Sequence, residues 1–132
     1  MSQNLINTNT NFPSLFRIAI ADQTLPIPFA REIFLLACRV AGTKFRPAMA
    51  EVEPTLEIGA KLRLQREPKN EFDESAICIY DVKQNHIGYV PKAKNEVLAR
   101  LLDSGKQLSA KLVAKQWTNS WLKLDIEIFL ND

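Results

Sequence analysis

The stretch Leu62–Asp81 (LRLQREPKNEFDESAICIYD) constrains the fold more than any other part of the chain. Leu62 and Leu64 alternate with polar residues, which is the period of a half-buried strand. A segment rich in turn residues then interrupts the alternation, and an apolar, β-branched run follows from Ala76 to Tyr80. We therefore predict two strands joined by a polar turn. This turn is more elaborate than a hairpin requires, since Asn-Gly alone would connect the strands, and this favours a functional role for its side chains.

Four further segments have the composition of strands, which brings the predicted total to about six. They are Arg31–Val40, His86–Val90, Leu108–Lys115 and Trp121–Leu130. For the first of these, periodicity leaves helix and strand open. We favour a buried strand, because a proline-containing segment precedes it and Gly42 ends it. We expect a turn at Gln116–Ser120 between the last two strands.

One segment, Pro91–Leu102, has the pattern of a short amphipathic helix. Its apolar stripe consists of Val97, Leu98, Leu101 and Leu102. Lys94 and Asn95 lie off that stripe, and Gly105 provides a stop signal. Lys92 and Lys94 are thus near the helix N-terminus, where the macrodipole disfavours cations unless an anion shares the site. Phosphate binding is one interpretation of this placement, and two solvated lysines are the other.

The number and spacing of these elements predict the fold class. Short strands separated by turn signals are typical of small barrels. We predict a mainly β protein with one or two helices, folded as an OB-like or SH3-like, partly closed, six-stranded β-barrel. The barrel domain is expected to span residues 31–132, after a partly disordered extension at residues 1–30 whose start is rich in Asn and Thr. Barrels of this kind bind oligonucleotides across an open face lined by aromatic and cationic side chains.

Composition limits the classes of site that the chain can build. The 132 residues are enough for one domain with a core, and the net charge of +2 permits a nucleic-acid partner without demanding one. Cys38 and Cys78 have no CxxC partner and His86 is the only histidine, so we expect buried free thiols, no metal and no cofactor. Free thiols suit the cytoplasm. No apolar run approaches the ~20 residues of a membrane span, and the N-terminus lacks signal-peptide features.

The sequence also lacks the motifs of common enzymes. We find no Walker lysine loop, no nucleophile elbow and no paired carboxylates with a metal ligand set. The acidic residues of the turn are close in sequence, but Pro68 and the turn are expected to separate them. We therefore predict a protein without catalytic activity.

A second candidate binding segment follows the first predicted strand. In Thr43–Pro47 (TKFRP) the aromatic Phe45 lies between the cations Lys44 and Arg46. This arrangement suits an oligonucleotide-binding face. The alternative is a surface loop whose phenylalanine packs inward.

Several motifs of the chain resemble those of the HIRAN domain family. They are VAGTKF at residues 40–45, GAKL at 59–62, LQREPKNEFD at 64–73, Ala76-Ile77, and IGYVPK at 87–92. The resemblance runs from about Ile33 to Leu130, and the pattern R-[DE]-P-x-N-x-[YF]-D followed by IG-Y-[IV]-P is specific. The family occurs at the N-terminus of some SWI/SNF-type DNA-remodelling ATPases and as stand-alone bacterial proteins. It implies an OB-like barrel that binds single-stranded DNA, in one branch through a free 3′ end, in DNA repair or processing.

The resemblance also implies roles for individual residues. Asp73 would accept a hydrogen bond from the terminal 3′-hydroxyl, and Asn70 would hold the terminal nucleotide beside it. Phe45 and Phe72 would stack on bases, and Lys44 and Lys92 would face phosphates. Tyr89 stands where that branch has a histidine near the DNA. The expected nucleic-acid-binding residues are Lys44, Phe45, Arg46, Arg66, Asn70, Phe72, Asp73, Tyr89, Lys92 and Lys94. The expected partners are single-stranded DNA with a 3′-hydroxyl end and a DNA-processing protein.

Two positions depart from that branch of the family. Phe72 replaces a tyrosine, which keeps the stacking surface but loses the hydroxyl. Lys44 replaces an arginine, which loses bidentate phosphate contact.

The charge of Asp73 is consistent with recognition of a strand end. A carboxylate repels the phosphate of a continuing strand but accepts a hydrogen bond from a terminal hydroxyl, so it favours ends over mid-strand positions. The alternative is that Asp73 caps the turn by accepting a backbone N–H of residue 75 or 76, and the two roles are compatible.

A protein-interaction module without catalytic activity is the rival prediction. Its face would comprise Ala48–Leu56 with Trp117 and Trp121. The position of the aromatic and cationic candidates separates the two hypotheses. If Phe45, Phe72, Lys44 and Lys92 converge on one exposed groove, DNA binding is favoured. If both phenylalanines are buried, binding of a protein partner is favoured.

Overall fold

A computed structural model describes residues 31–132 of the chain. Its strands are β1 (Glu32–Arg39), β2 (Lys61–Arg66), β3 (Ile77–Tyr80), β4 (His86–Tyr89), β5 (Gln107–Thr118) and β6 (Trp121–Asn131). Its α-helices are α1 (Met49–Val52) and α2 (Asn95–Asp103). Single turns of 3-10 helix lie at Thr43–Phe45, Glu53–Thr55 and Lys92–Lys94. The mainly β architecture with two helices confirms the predicted fold class.

The strands form one antiparallel sheet in the order β1-β6-β5-β2-β3-β4. The chain beyond β1 reaches the opposite edge of this sheet, where Ala41 forms an isolated bridge with Tyr89 of β4. The amide of each residue donates to the carbonyl of the other, over 2.8 and 2.9 Å. This bridge joins the two ends of the curled sheet, so the fold is a partly closed half-barrel.

Gly88 permits this bridge. Its φ of 155° is combined with a very close approach of the neighbouring chain. A Cβ at this position would lie 2.5 Å from the carbonyl oxygen of Ala41 and would overlap the side chain of Val40. The glycine of the IGYV segment therefore lets the two edges of the sheet meet.

Strand alternation places the core on the inner face of the sheet. In β6, alternate residues are almost completely inaccessible; these residues are Leu122, Leu124, Ile126 and Ile128. Leu62 and Leu64 of β2 are buried in the same cluster, whereas Arg63 between them is exposed. The period-two pattern is sufficient to define this face because successive side chains of a strand point to opposite sides.

The model corrects several sequence-based predictions. β1 is a strand, but it is not buried: it lies at an edge of the sheet, and 54% of Phe34 is exposed. The turn between β5 and β6 is Asn119-Ser120 rather than Gln116–Ser120, because Asn119 adopts the left-handed φ of 58° that a tight connection requires. Cys38 is only partly buried, whereas Cys78 is buried, and both are free thiols.

Helix α2 also differs in detail from its prediction. It begins at Asn95, after the 3-10 turn that contains Lys92 and Lys94. Val97 is 68% exposed and does not belong to the apolar face, whereas Asn95 is buried. The predicted extension at residues 1–30 lies outside the described residues. Among the described helices, none is long and apolar enough to cross a membrane.

Candidate nucleic-acid interface

The turn between β2 and β3 is organised by the side chain of Asn70. Its Oδ1 accepts the backbone N–H groups of Phe72, at 2.8 Å, and of Asp73, at 3.0 Å. Its Nδ2 donates to Oε1 of Glu67 over 2.6 Å. Such Asx-type contacts replace the backbone hydrogen bonds of a regular hairpin. With the backbone held in this way, the ring of Phe72 is 81% exposed.

The carboxylate of Asp73 is bonded on both oxygens. Oδ1 accepts the backbone N–H of Ser75 over 2.9 Å, which is the turn-capping contact that the sequence predicted. Oδ2 accepts from Nδ2 of Asn95, at the start of α2, over 2.8 Å. The Asn95 amide, the Ser75 amide and the nearby cations Lys92 and Arg66 lower the pKa of Asp73 below 3.8 and outweigh its partial burial. The group is therefore ionised at neutral pH and fixed from two sides.

Glu67 connects the turn to β4. Its Oε1 accepts from the hydroxyl of Tyr89 over 3.0 Å as well as from Asn70, and its Oε2 accepts from Sγ of Cys78 over 3.4 Å. The Asn70 amide, followed by the Tyr89 hydroxyl, lowers the pKa of Glu67. Burial and the bond to Glu67 raise the pKa of Tyr89 to about 12. This tyrosine thus stays protonated and acts as a donor.

These contacts enclose a groove with a volume of about 510 Å³. Its lining residues are Ala41, Asn70, Phe72, Asp73, Ala76, Tyr89, Val90 and Lys92. The model therefore brings together five predicted site residues, namely Asn70, Phe72, Asp73, Tyr89 and Lys92. The small apolar floor residues Ala41, Ala76 and Val90 were not predicted as part of the site. All three lie within the sequence motifs that carry the family resemblance, and this was the sequence signal that could have identified them.

The segment Lys44-Phe45-Arg46 lies outside the lining of this groove. Phe45 is 76% exposed, so it does not pack inward. The ammonium of Lys44 lies over the ring of Trp121, 5.9 Å from its centroid. On the same ring, the ammonium of Lys123 is 4.9 Å away. Lys44, Lys123 and Trp121 thus form a cation–aromatic cluster outside the groove lining.

Arg46 reaches the groove only through His86. Its guanidinium donates to Nδ1 of the imidazole, whose Nε2 in turn bonds the carbonyl of Gly88 over 3.0 Å. The imidazole packs edge-on against the ring of Tyr89, with centroids 4.9 Å apart. Arg46 therefore acts on the groove only indirectly, through the contact of His86 with Tyr89.

Arg66 has a supporting position as well. Its guanidinium pairs with Asp103 of α2, with the nearest N–O distance at 2.9 Å, and also donates to the carbonyls of Glu74 and Ala76. Arg66 does not itself line the groove, but it bonds the backbone of the floor residue Ala76. Lys94 is exposed in the 3-10 turn before α2 and does not line it either. Within residues 31–132, no group of three or more His, Cys, Asp or Glu side chains is arranged to hold a metal ion.

A six-stranded, partly closed antiparallel barrel, with an open groove between one hairpin turn and the strand β4, defines a small β-barrel domain. A family model described as the HIRAN domain matches residues 33–131. The chain therefore belongs to the HIRAN domain family, as its motifs predicted.

Solved structures share this fold. A crystal structure of a protein from Lactobacillus plantarum superimposes with a TM-score of 0.72 at 22% identity, over 77% of this chain and 97% of that one. The crystal structure of the HIRAN domain of human HLTF gives a TM-score of 0.57 at 20% identity, over 75% and 78% of the two chains. The NMR structure of the HLTF HIRAN domain in its DNA-bound conformation gives 0.54 at 20% identity, over 76% and 78%. A comparison with curated proteins found no match.

Proposed function

We propose that this protein is a non-catalytic module that binds single-stranded DNA through a free 3′ end. The observation that carries the proposal is the placement of Asp73 beside Phe72 in one open groove, with Lys92 on the same lining. A related HIRAN domain, that of human HLTF, has been solved in a DNA-bound conformation, which supports DNA as the ligand class.

The electrostatics of the groove support an end rather than a continuing strand. The ionised Asp73 repels a phosphate at short range but accepts a hydrogen bond from a terminal hydroxyl. Each of its oxygens holds one internal hydrogen bond, and a carboxylate oxygen has lone-pair capacity for another. Lys92 supplies a cation for the phosphate that precedes the terminal nucleotide.

The aromatic side chains support single-stranded rather than paired nucleic acid. The ring of Phe72 is 81% exposed at the edge of the groove, and an exposed ring offers a stacking platform for an unpaired base. Phe45 is also exposed, and Lys44 is next to it. Neither phenylalanine is buried, unlike the expectation for the rival protein-interaction module. The convergence expected for DNA is met by Phe72 and Lys92, whereas Phe45 and Lys44 do not line the groove.

We propose that the domain acts in DNA repair or processing in the cytoplasm, together with a DNA-processing protein. The two free thiols suit a reducing compartment.

Fluorescence anisotropy with short labelled strands tests the proposal. A strand with a free 3′-hydroxyl should bind more tightly than the same strand with a 3′-phosphate, in low salt because phosphate contacts weaken as salt rises. Asp73→Asn removes the charge at constant size. It should narrow the difference in affinity between the two strands, mainly because the 3′-phosphorylated strand binds better. Equal binding of both strands by the wild type would contradict end recognition, and absence of binding to any single strand would contradict the nucleic-acid function.

The matched control is Glu71→Gln. Glu71 lies on the same turn and is exposed, but it does not line the groove. The substitution removes the same charge from the turn, so it should leave the ratio of the two affinities unchanged if the position of Asp73 is what matters.

A further inference from the structure

Asn95 is a buried polar residue whose side chain points towards the candidate site. It is 2% exposed, at the first position of α2. The other buried polar residues among the described ones, Thr43 and Asp81, bond within the fold and away from the groove: the Thr43 hydroxyl bonds the carbonyl of Leu122 on β6, and Asp81 caps its own turn. In contrast, Nδ2 of Asn95 donates to Oδ2 of Asp73, which lines the groove.

A buried amide at this position needs a physical reason. Burial of an amide costs free energy unless it is hydrogen-bonded, and an apolar side chain would serve the packing of α2 more simply. Leu98 and Ala99 of the same helix provide such packing. The polar residue at position 95 is therefore explained by its bond to Asp73.

The bond completes the fixation of the carboxylate. The backbone N–H of Ser75 holds Oδ1, and Asn95 holds Oδ2, so both torsions of the Asp73 side chain are restrained. An acceptor that is ordered before the ligand arrives loses no rotamer entropy on binding. Lys92 and Arg66 are the charged groups that face Asp73, but both are cations and neither donates to it directly.

We infer that Asn95 is a positioning residue for recognition of the strand end, which it serves by holding the carboxylate of Asp73 towards the groove. This inference rests on the proposed function. The preference for a 3′-hydroxyl end then depends on a helix residue that does not itself line the groove.

Binding measurements with Asn95→Ala test the inference. The affinity for the 3′-hydroxyl strand should fall about 3- to 10-fold, the loss expected when a side chain that was held before binding has to be ordered by it, whereas the affinity for the 3′-phosphate strand should change little. The ratio of the two affinities thus decreases. A purely structural role would weaken both strands equally, and this result would overturn the inference.

A pH profile provides a second readout. The carboxyl carbon of Asp73, followed by NMR in the free protein, should titrate at higher pH in Asn95→Ala because the Asn95 amide favours the charged form. The pH at which the preference for the hydroxyl strand disappears should rise with it. An unchanged titration and an unchanged affinity ratio in a folded variant would overturn the inference while leaving the proposed function intact.

Two further variants keep the inference testable if Asn95→Ala does not fold. Asn95→Asp keeps the size but replaces the donor with a second carboxyl group. The two carboxyls would then share a proton at lower pH, so the selectivity lost at neutral pH should partly return on acidification. Val97→Ala, on an exposed position of the same helix, should retain wild-type selectivity. If the wild type itself shows no preference for either strand, both the inference and the proposed function are wrong.

Discussion

The hydroxyl of Tyr89 on β4 donates a hydrogen bond to Oε1 of Glu67 at the start of the β2–β3 turn, over 3.0 Å. The same oxygen accepts from Asn70, whose carbonyl in turn holds the backbone of the turn. Glu67 therefore links the two walls of the groove. The Tyr89 hydroxyl is committed to this link, although Tyr89 also lines the groove.

Glu67→Ala should destabilise the protein substantially. The carboxylate accepts from Asn70, Tyr89 and Cys78, and truncation leaves these groups without that partner. Hydrogen bonds to a charged group contribute about 1.5–3 kcal/mol each, and since the groove is open to water we expect a total loss of about 2–3 kcal/mol. Urea unfolding of the wild type and the variant measures this loss of unfolding free energy. Glu67→Gln retains one acceptor oxygen and should cost less than half as much; equal losses for the two variants would contradict this account.

Phe72→Ala should weaken DNA binding without changing stability. The ring lines the groove and is 81% exposed, so its removal creates no cavity. Loss of one stacking platform costs about 1–3 kcal/mol of binding free energy. Phe45→Ala should have a smaller effect, because Phe45 does not line the groove. Anisotropy titrations compare the two, with Val82→Ala as an exposed apolar control on another turn. A larger effect at Phe45 would contradict the assignment of this groove.

Gly88→Ala should open the barrel at its bridge. The added Cβ would meet the carbonyl of Ala41 at 2.5 Å, and a backbone atom cannot move aside cheaply. We expect a loss of about 3 kcal/mol, at the upper end of the cost of overpacking. Gly59→Ala is the control, since its φ of 91° is unfavourable for alanine but no atom lies within 4 Å. It should cost about 1 kcal/mol.

Hydrogen exchange gives an independent check of the same variant. The amides of Ala41 and Tyr89 form the bridge, and both should lose protection in Gly88→Ala. Retained protection would show that the barrel accommodates the methyl group.

Stability should decrease on acidification in two stages. Burial, followed by the charge of Arg46, lowers the pKa of His86 below 6.5 in the folded protein. The unfolded chain then binds more protons, so this contribution to stability is present above pH 6.5 and is lost as the pH falls. The pKa values of Glu67 and Asp73 are also lowered, which gives a second decrease below their ordinary values of 4.5 and 3.8.

Urea unfolding across this pH range tests both stages. His86→Gln should abolish the first decrease and retain the second, because it removes only the imidazole titration. If His86→Gln loses as much stability below pH 6.5 as the wild type does, the imidazole is not the cause of the first decrease.

Much of the fold was predictable because strand periodicity is a local property. The alternation of apolar and polar residues in β6 matches its buried face as far as Ile128, whereas Leu130 is only partly buried, and the turn chemistry of Leu62–Asp81 located the central hairpin. Local patterns were less informative where an element meets its neighbours. β1 was predicted to be buried from its apolar composition, yet its position at an edge leaves it half exposed.

The candidate site was predictable only in part, for a related reason. The motif of the turn identified Asn70, Phe72 and Asp73 as neighbours, and all three line the groove. The segment with Phe45 carries equally suitable side chains but lies outside it. Asn95 was assigned to the polar side of its helix, because its partner Asp73 is remote in sequence and no local pattern reveals the bond.

The sequence by itself determined the class of fold, the central hairpin and the family, since backbone periodicity and turn chemistry depend on residues close together in the chain. Only the tertiary structure decided which candidates share a groove, which arginines contact its lining indirectly, and which buried amide holds the carboxylate of Asp73. Those relationships join segments distant in sequence, and their energetics depend on burial and on the exclusion of water, which arise only when the sheet curls and the helix packs against it.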